Sequence, residues 1–430
     1  MKKILVVTYY WPPSGGAGVQ RWLKFVKYLP QFGYEPVVLT VREDYASYAQ
    51  KDQSLIKEVD PDIQVIRTPS FEPYNLYLKI SGKKEIPFGG FSNEGSVTLM
   101  QRIFRFIRGN LFIPDPRKGW NRYALKEAKK VIQQEKIDTV ITTGPPHSTH
   151  LIGYKLKKSA GIRWIADFRD PWTDIYYYKD LSLTCLAKWY DRKLEKKVLH
   201  SCDKLITVGY ELKNLLESKS VELRNNKIRV IPNGFDEQDF QNPGNVQSEK
   251  FIITYSGTIS SYYKIDGFVS ALTELPEEVR QKIFIRFVGN VSPVVLDLLN
   301  KAGLTSQVEL TGYVPHNESI NYLFQAGILL LLIPDVKDNK GILTGKFFEY
   351  LATGKPILAI GPTDGDVARI LNETGAGFIY SYNDASSIKN CIQDVFKERG
   401  KKYGSKEEIE KYSRRSLTGV LAGIIDNITE

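Results

Sequence analysis

Short apolar runs recur along the chain, most of them giving way to glycine, proline or polar residues and then to a stretch with helical spacing. In the first half the runs are Ile4–Thr8, Glu35–Thr40, Thr139–Thr143, Arg163–Phe168, Lys204–Val208 and Ile228–Ile231. In the second half they are Phe251–Tyr255, Phe284–Val288, Val308–Leu310, Ile328–Ile333 and Ile357–Ile360. Runs this short and this rich in branched aliphatics predict strands buried on both faces, the habit of a parallel sheet. Val19, Trp22, Leu23, Val26 and Leu29 follow the first run at helical spacing, so the pattern predicts an α/β fold. At 430 residues the chain exceeds one compact core and suits two domains of about 200 residues each.

One stretch, KGILTGKFFEYLATGKPILAI at 340–360, carries the most chemistry. Thr344 and Gly345 form a small-residue approach to a helix opened by Lys346 and ended by Gly354, with a strand after Pro356. Such a helix start offers free N–H groups and a positive dipole end to a phosphate, and Lys346 adds a full charge. Glu349, one turn inside, is spaced to accept hydrogen bonds from a ribose diol. The same letters also describe an amphipathic helix whose Lys346 and Glu349 are simply solvated.

Two further loops follow strand ends, where parallel sheets bind ligands. Ser14-Gly15-Gly16-Ala17-Gly18 is not a G-x-G-x-x-G, and reads either as a tight turn or as part of a crevice. Gly144-Pro145-Pro146-His147-Ser148-Thr149-His150 places two of the four histidines at one strand end. His147 is a candidate for proton exchange or for binding a sugar hydroxyl, with Ser148 as the N-cap and His150 as a packed helix residue. Ser96–Ile113 interleaves apolar residues with Arg102, Arg105 and Arg108, which suits a helix with one buried face or a surface for anionic membranes.

T-G-K-F-F-E-Y-L-A-T-G-K-P-I-L at 344–358 resembles the donor-site helix of retaining GT-B-fold glycosyltransferases of family 4, also called glycosyltransferase group 1, or a close relative. D-F-R-D-P-W at 167–172 and I-P-N-G-F-D at 231–236 resemble motifs of the same group. The resemblance covers most of the chain, least so 42–119, and implies GT-B architecture: two Rossmann-like α/β domains facing across a cleft. It implies an acceptor-binding domain at 1–240, a polar linker through Glu249, a nucleotide-sugar domain at 250–405, and a helix at 406–430 returning to the first domain.

The resemblance also implies that Gly15, Gly16 and Gly257 meet the donor diphosphate, together with Thr344 and Gly345. Thr258 stands where a basic residue is usual, so Lys264 is the local candidate for that charge. Backbone around Tyr313 and Val314 in T-G-Y-V-P-H would meet the nucleobase, with His316 as a structural or helix-start residue. Arg169 and Asp170 are acceptor-binding candidates, although Asp167, Arg169 and Asp170 equally suit a structural ion-pair cluster. Trp172, Tyr176, Tyr177 and Tyr178 suit sugar-face stacking or a packed loop. Many members of the group carry two glutamates with seven residues between them; Glu349 matches the second, and Gly341 takes the place of the first.

Composition narrows the rest. The formal charge of +10 points to an anionic partner such as a nucleotide diphosphate or a membrane surface, and no nucleic-acid motif is present. Cys185, Cys202 and Cys391 show no metal-ligand spacing and suit a reducing cytoplasm. No apolar run nears the roughly 20 residues that span a bilayer, and MKKILVVTYYWPP loses its apolar character after Val7, so it reads as a first strand rather than a signal peptide.

The expected reaction is transfer of a sugar from a nucleotide diphosphate-sugar to a hydroxyl of a polysaccharide or lipid-linked glycan, with retention, in the cytoplasm or at the inner face of its membrane. His147, Lys346 and Glu349 are the catalytic candidates; no cofactor and no metal are expected, with Asp335–Asp338 read as a solvated loop. A non-catalytic nucleotide-sugar scaffold, made plausible by Gly341 and Thr258, and a sugar-nucleotide epimerase of the same fold are the rival readings.

Overall fold

The computed structural model describes residues 1–48, 50–72, 99–224, 226–241, 250–260 and 263–429. The chain divides into two units, Met1–Ile231 with Thr418–Glu430, and Pro232–Leu417. The division falls before Pro232 rather than after 240, and 406–417 belongs to the second unit. The expected linker lies almost wholly in 242–249, outside the described residues.

The first unit is built on seven strands: β1 (Lys2–Val7), β2 (Tyr34–Val41), β3 (Val65–Thr68), β4 (Thr139–Gly144), β5 (Arg163–Phe168), β6 (Lys204–Thr207) and β7 (Ile228–Val230). They form a parallel sheet in the order β3-β2-β1-β4-β5-β6-β7, with Val6 pairing Val38 on one side and Ile141 on the other. Its helices are α1 (Ala17–Tyr28), α2 (Leu99–Leu111), α3 (Asn121–Glu135), α4 (Ser148–Ala160), α5 (Cys185–Ser201) and α6 (Tyr210–Ser218). β4 is buried along its whole length, in keeping with a β-branched run that shows no polar alternation. The strand order reverses between β1 and β4, so the glycine loop after β1 and the histidine loop after β4 flank a topological switch point.

A buried ion pair holds this unit. Asp167, at the end of β5, accepts from Arg21 Nε and Nη2 at 3.3 and 3.0 Å, from Trp22 Nε1 at 2.6 Å and from Thr143 Oγ1 at 2.8 Å. Arg21 Nη1 donates to Ile231 O at 2.8 Å, and neither charged side chain reaches solvent. α1, β4, β5 and the exit of β7 are thereby joined at one point. The Asp167–Arg169–Asp170 cluster considered from sequence does not form: Asp167 takes its arginine from α1 instead.

The second unit has strands β8 (Phe251–Ser256), β9 (Ile283–Val288), β10 (Val308–Gly312), β11 (Ile328–Leu332), β12 (Ile357–Ile360) and β13 (Gly377–Tyr380), in the order β10-β9-β8-β11-β12-β13. Its helices are α7 (Asp266–Thr273), α8 (Glu277–Arg280), α9 (Pro293–Lys301), α10 (His316–Gln325), α11 (Gly345–Thr353), α12 (Asp366–Thr374), α13 (Ala385–Lys397) and α14 (Lys406–Glu410); α15 (Arg414–Thr429) follows. Alternate residues of β11 go to opposite faces: Leu330 joins Phe268 and Ile388 on one, and Leu329 and Leu331 join Phe347 and Leu351 on the other. The reversal lies between β8 and β11, which puts Ser256-Gly257-Thr258 and the segment leading to α11 at its switch point.

The single helix expected from Lys406 to Ile428 is broken. Tyr412 O accepts from Phe235 N at 3.1 Å and Arg414 N donates to Phe235 O at 2.7 Å, so the chain pairs with 235 instead of continuing to coil. Ser413 Oγ then accepts from Ser416 N and starts α15.

Replacing Asp167 with alanine strands the Arg21 guanidinium in a dry interior, and urea denaturation is expected to show a loss of about 3–5 kcal/mol.

Candidate active site

The second unit gathers its polar groups at the switch point. α11 begins at Gly345 after Thr344, whose extended φ/ψ of −82° and 151° makes it the N-cap, without a side-chain capping bond and with no acidic residue in the first turn. A Cβ on Gly345 would meet nothing within 4 Å, so the amide end of the helix is open. Gly354, at φ 66°, ends the helix in a left-handed turn, the conformation glycine adopts most readily.

Spacing along α11 then sets two contacts. Lys346 and Tyr350 lie four residues apart and so share a face. Tyr350 Oη accepts from the Ser256 N–H at 2.8 Å, pinning the helix to the end of β8. One turn earlier, Lys346 Nζ donates to Tyr255 Oη at 2.6 Å and lies 4.0 Å from the centre of that ring. Tyr255 in turn donates to Thr258 O at 3.1 Å. Burial pushes the Lys346 ammonium down to about 7, offset in part by the nearby Glu349 carboxylate.

Glycine is required where Lys346 arrives. Gly257 has φ +109°, and a Cβ there would stand 2.7 Å from Lys346 Nζ. Gly289, at φ +128°, would carry a Cβ 2.5 Å from Gly257 O, and Gly312, at φ +69°, bridges Gly289 at the end of β10. Three neighbouring strand ends are thus bare backbone.

The remaining predicted residues of this unit fall as follows. Glu349 Oε1 lies 3.2 Å from His316 Nε2 at the start of α10. Lys264 is exposed and paired with Asp335, so the Asp335–Asp338 loop is not merely solvated. Thr258 is exposed, and Tyr313 is 84% exposed with Val314 partly so. Tyr255, Tyr350 and the partnership of His316 with Glu349 escaped the sequence reading. The i, i+4 spacing of Lys346 and Tyr350 was the available signal for the second.

In the first unit the groups around Gly144 are packed closely. Arg169 donates from its backbone N–H and its Nε to Gly144 O, each at 3.1 Å, and from Nη2 to Pro145 O at 2.7 Å. A Cβ on Gly18 would stand 1.8 Å from Arg169 Nη1, so the bare first turn of α1 admits the guanidinium. Gly18 is therefore a determinant that the reading of Gly15 and Gly16 missed. Gly16 is exposed at φ 98° as the N-cap of α1, and the Gly15 N–H donates to Gln50 O at 3.0 Å. Burial raises the Asp170 carboxyl, offset by Arg169, and among the described residues Asp170 makes no hydrogen bond.

Both histidines are desolvated neutral rings. His147 stacks on Trp172 at 5.0 Å and 9°, and His150 stacks on Phe168 at 4.5 Å and 8°. Burial lowers both, His150 to about 3. His150 Nδ1 lies 2.9 Å from Thr142 Oγ1. His147 Nδ1 and His150 Nε2 are buried without a hydrogen-bond partner, and a Cβ on Gly144 would lie 3.2 and 2.6 Å from them. Ser148 is not the N-cap: it is the first residue of α4, and Asp115 accepts from its N–H and its hydroxyl, each at 2.8 Å. Trp172 is buried, held by Asp191 at 2.8 Å, and is thus a packed ring.

Two parallel α/β units with polar groups at their switch points define the GT-B architecture. The model for Glycosyltransferase Family 4 matches residues 87–239 and that for Glycosyl transferases group 1 matches 236–416. The chain belongs to this family and is a glycosyltransferase. A probable glycosyltransferase, WbjE, of Pseudomonas aeruginosa is 21% identical over 351 residues, 74% of this chain and 84% of its own. A glycosyltransferase of Rickettsia africae superposes with a TM-score of 0.62 at 17% identity, covering 100% and 99% of the two chains. The Anabaena protein HepE, solved with UDP-glucose, gives 0.54 at 12% identity, covering 100% and 97%.

An anionic ligand seated against Lys346 would favour the protonated form of its amine. Calorimetry of nucleotide-sugar binding above pH 7 in buffers of different ionisation enthalpy is expected to show proton uptake, with affinity falling as pH rises, by up to about tenfold per unit. The variant Lys346→Arg, which keeps its charge, is expected to flatten that profile.

Proposed function

We propose that this glycosyltransferase takes a nucleotide diphosphate-sugar as donor and a hydroxyl of a polysaccharide or lipid-linked glycan as acceptor, with retention at the anomeric carbon by same-face attack. The observation that carries the donor reading is the meeting of Lys346, the bare Gly257 and the open amide end of α11. Those donors would bind the diphosphate and offset the charge that grows on it as the glycosidic bond breaks. Glu349 would take the ribose diol once it exchanges His316 for the ligand. Tyr313 and Val314 would flank the base, and Thr344 and Gly345 the phosphates.

In the first unit, Arg169 and Asp170 would meet the acceptor, and the free Nδ1 of neutral His147 would bind a hydroxyl of the sugar rather than act as a cationic acid. Gly15 and Gly16 would lie along the donor phosphates. Lys264 would add charge only after leaving Asp335. With charge neutralised by Lys346 and amides, the reaction would need neither cofactor nor metal. Among the described residues no group of three His, Cys, Asp or Glu side chains is arranged to hold a metal ion. The reaction would run in the cytoplasm, at a membrane surface for a lipid-linked acceptor.

Thermal shifts with UDP, GDP, dTDP and ADP would identify the base, and release of nucleoside diphosphate from the matching sugar would report turnover. Lys346→Ala is expected to cut that turnover by about 10²-fold or more. Glu349→Ala should weaken donor binding, and normal turnover by it would remove the ribose assignment. Chelation with EDTA should leave the rate unchanged. Isomerised sugar-nucleotide, or binding without turnover, would favour the rival readings.

A further inference from the structure

Two helices of the first unit show apolar side chains that the site does not use. On α2, Ile103, Phe106, Ile107 and Leu111 are exposed along one face. On α5, Leu186, Trp189 and Tyr190 repeat the same spacing, the first two 73% and 56% exposed. The end of α2 meets the start of α5 at one joint. Asn110, near the end of α2, donates to Ser182 O at 3.2 Å and accepts from Thr184 N at 2.8 Å, and Thr184 caps α5. The helix sits so closely there that a Cβ on Gly109 would stand 2.5 Å from Leu181 O.

Charge on these helices is segregated. Both acids of α5 are buried and spent inward: Asp191 accepts from Trp172 and Tyr178, and Glu195 from Thr173 and Lys219. Its solvent side keeps Lys188, Arg192, Lys193, Lys196 and Lys197 and no acid. Lys193 Nζ lies 4.6 Å from the Trp189 ring centre. α2 carries three arginines and no acid in LMQRIFRFIRGNL.

We propose that α2 and the first half of α5 form one docking surface for an anionic lipid bilayer. Trp189 and Tyr190 would enter the headgroup boundary while the lysines reach up to the phosphates. The assignment deepens the membrane location proposed above and is independent of the donor site.

Flotation of the full chain with phosphatidylcholine vesicles, with and without phosphatidylglycerol, tests it. The protein should float with the anionic vesicles only. The exposed single change Lys193→Gln, on the face of Leu186 and Trp189, should weaken partitioning about fivefold. Leu186→Ser with Trp189→Ser should abolish it, and both variants should keep wild-type donor hydrolysis, which shows that they fold. Three results would overturn the proposal: no flotation of the wild type, equal flotation of both variants, or a wild-type dimer that the Leu186→Ser, Trp189→Ser pair dissociates. Binding to duplex DNA with none to vesicles would overturn it as well.

Discussion

A single hydrogen bond sets the phase of α11. The Ser256 N–H at the end of β8 would be a buried donor without a partner if Tyr350 turned away, a cost of about 1–3 kcal/mol. Because α11 advances about 100° per residue, fixing Tyr350 also fixes Lys346 one turn earlier. The ammonium is then delivered to Tyr255 and to the bare end of β8. Glu349, three residues from Lys346, is carried round to His316. Position along a rigid helix, rather than loop adaptation, thus governs the local geometry.

The strands and α11 were legible because their signals are local. Parallel strands buried on both faces leave no polar alternation, and Gly354 marks a helix end by its backbone requirement alone. The partners of Lys346 were not legible. Tyr255 precedes it by 91 residues, and a tyrosine at the end of an apolar run reads as core until the helix is placed beside it. The broken helix before Arg414 was hidden for the same reason, since Phe235 supplies the competing hydrogen bonds.

In the first unit, proximity in sequence misled. Asp167, Arg169 and Asp170 invite pairing with one another, yet Asp167 is drawn inward to Arg21, 146 positions away. Arg169 turns to the carbonyls of 144 and 145, and Asp170 is left without a hydrogen bond among the described residues. A buried carboxylate is stabilised by whichever donors the fold encloses with it, and here those come from α1 and β4. Gly18 was overlooked because its importance lies in what occupies the space above it.

The bare strand ends at 257, 289 and 312 also constrain how such an enzyme diverges. Each holds a left-handed φ, and at two of them a methyl group would collide with a lysine or a carbonyl. This tier is closed to ordinary substitution. Change at this edge of the sheet is therefore channelled to exposed neighbours such as Thr258 and Tyr313, whose side chains can be replaced without disturbing the backbone that they border.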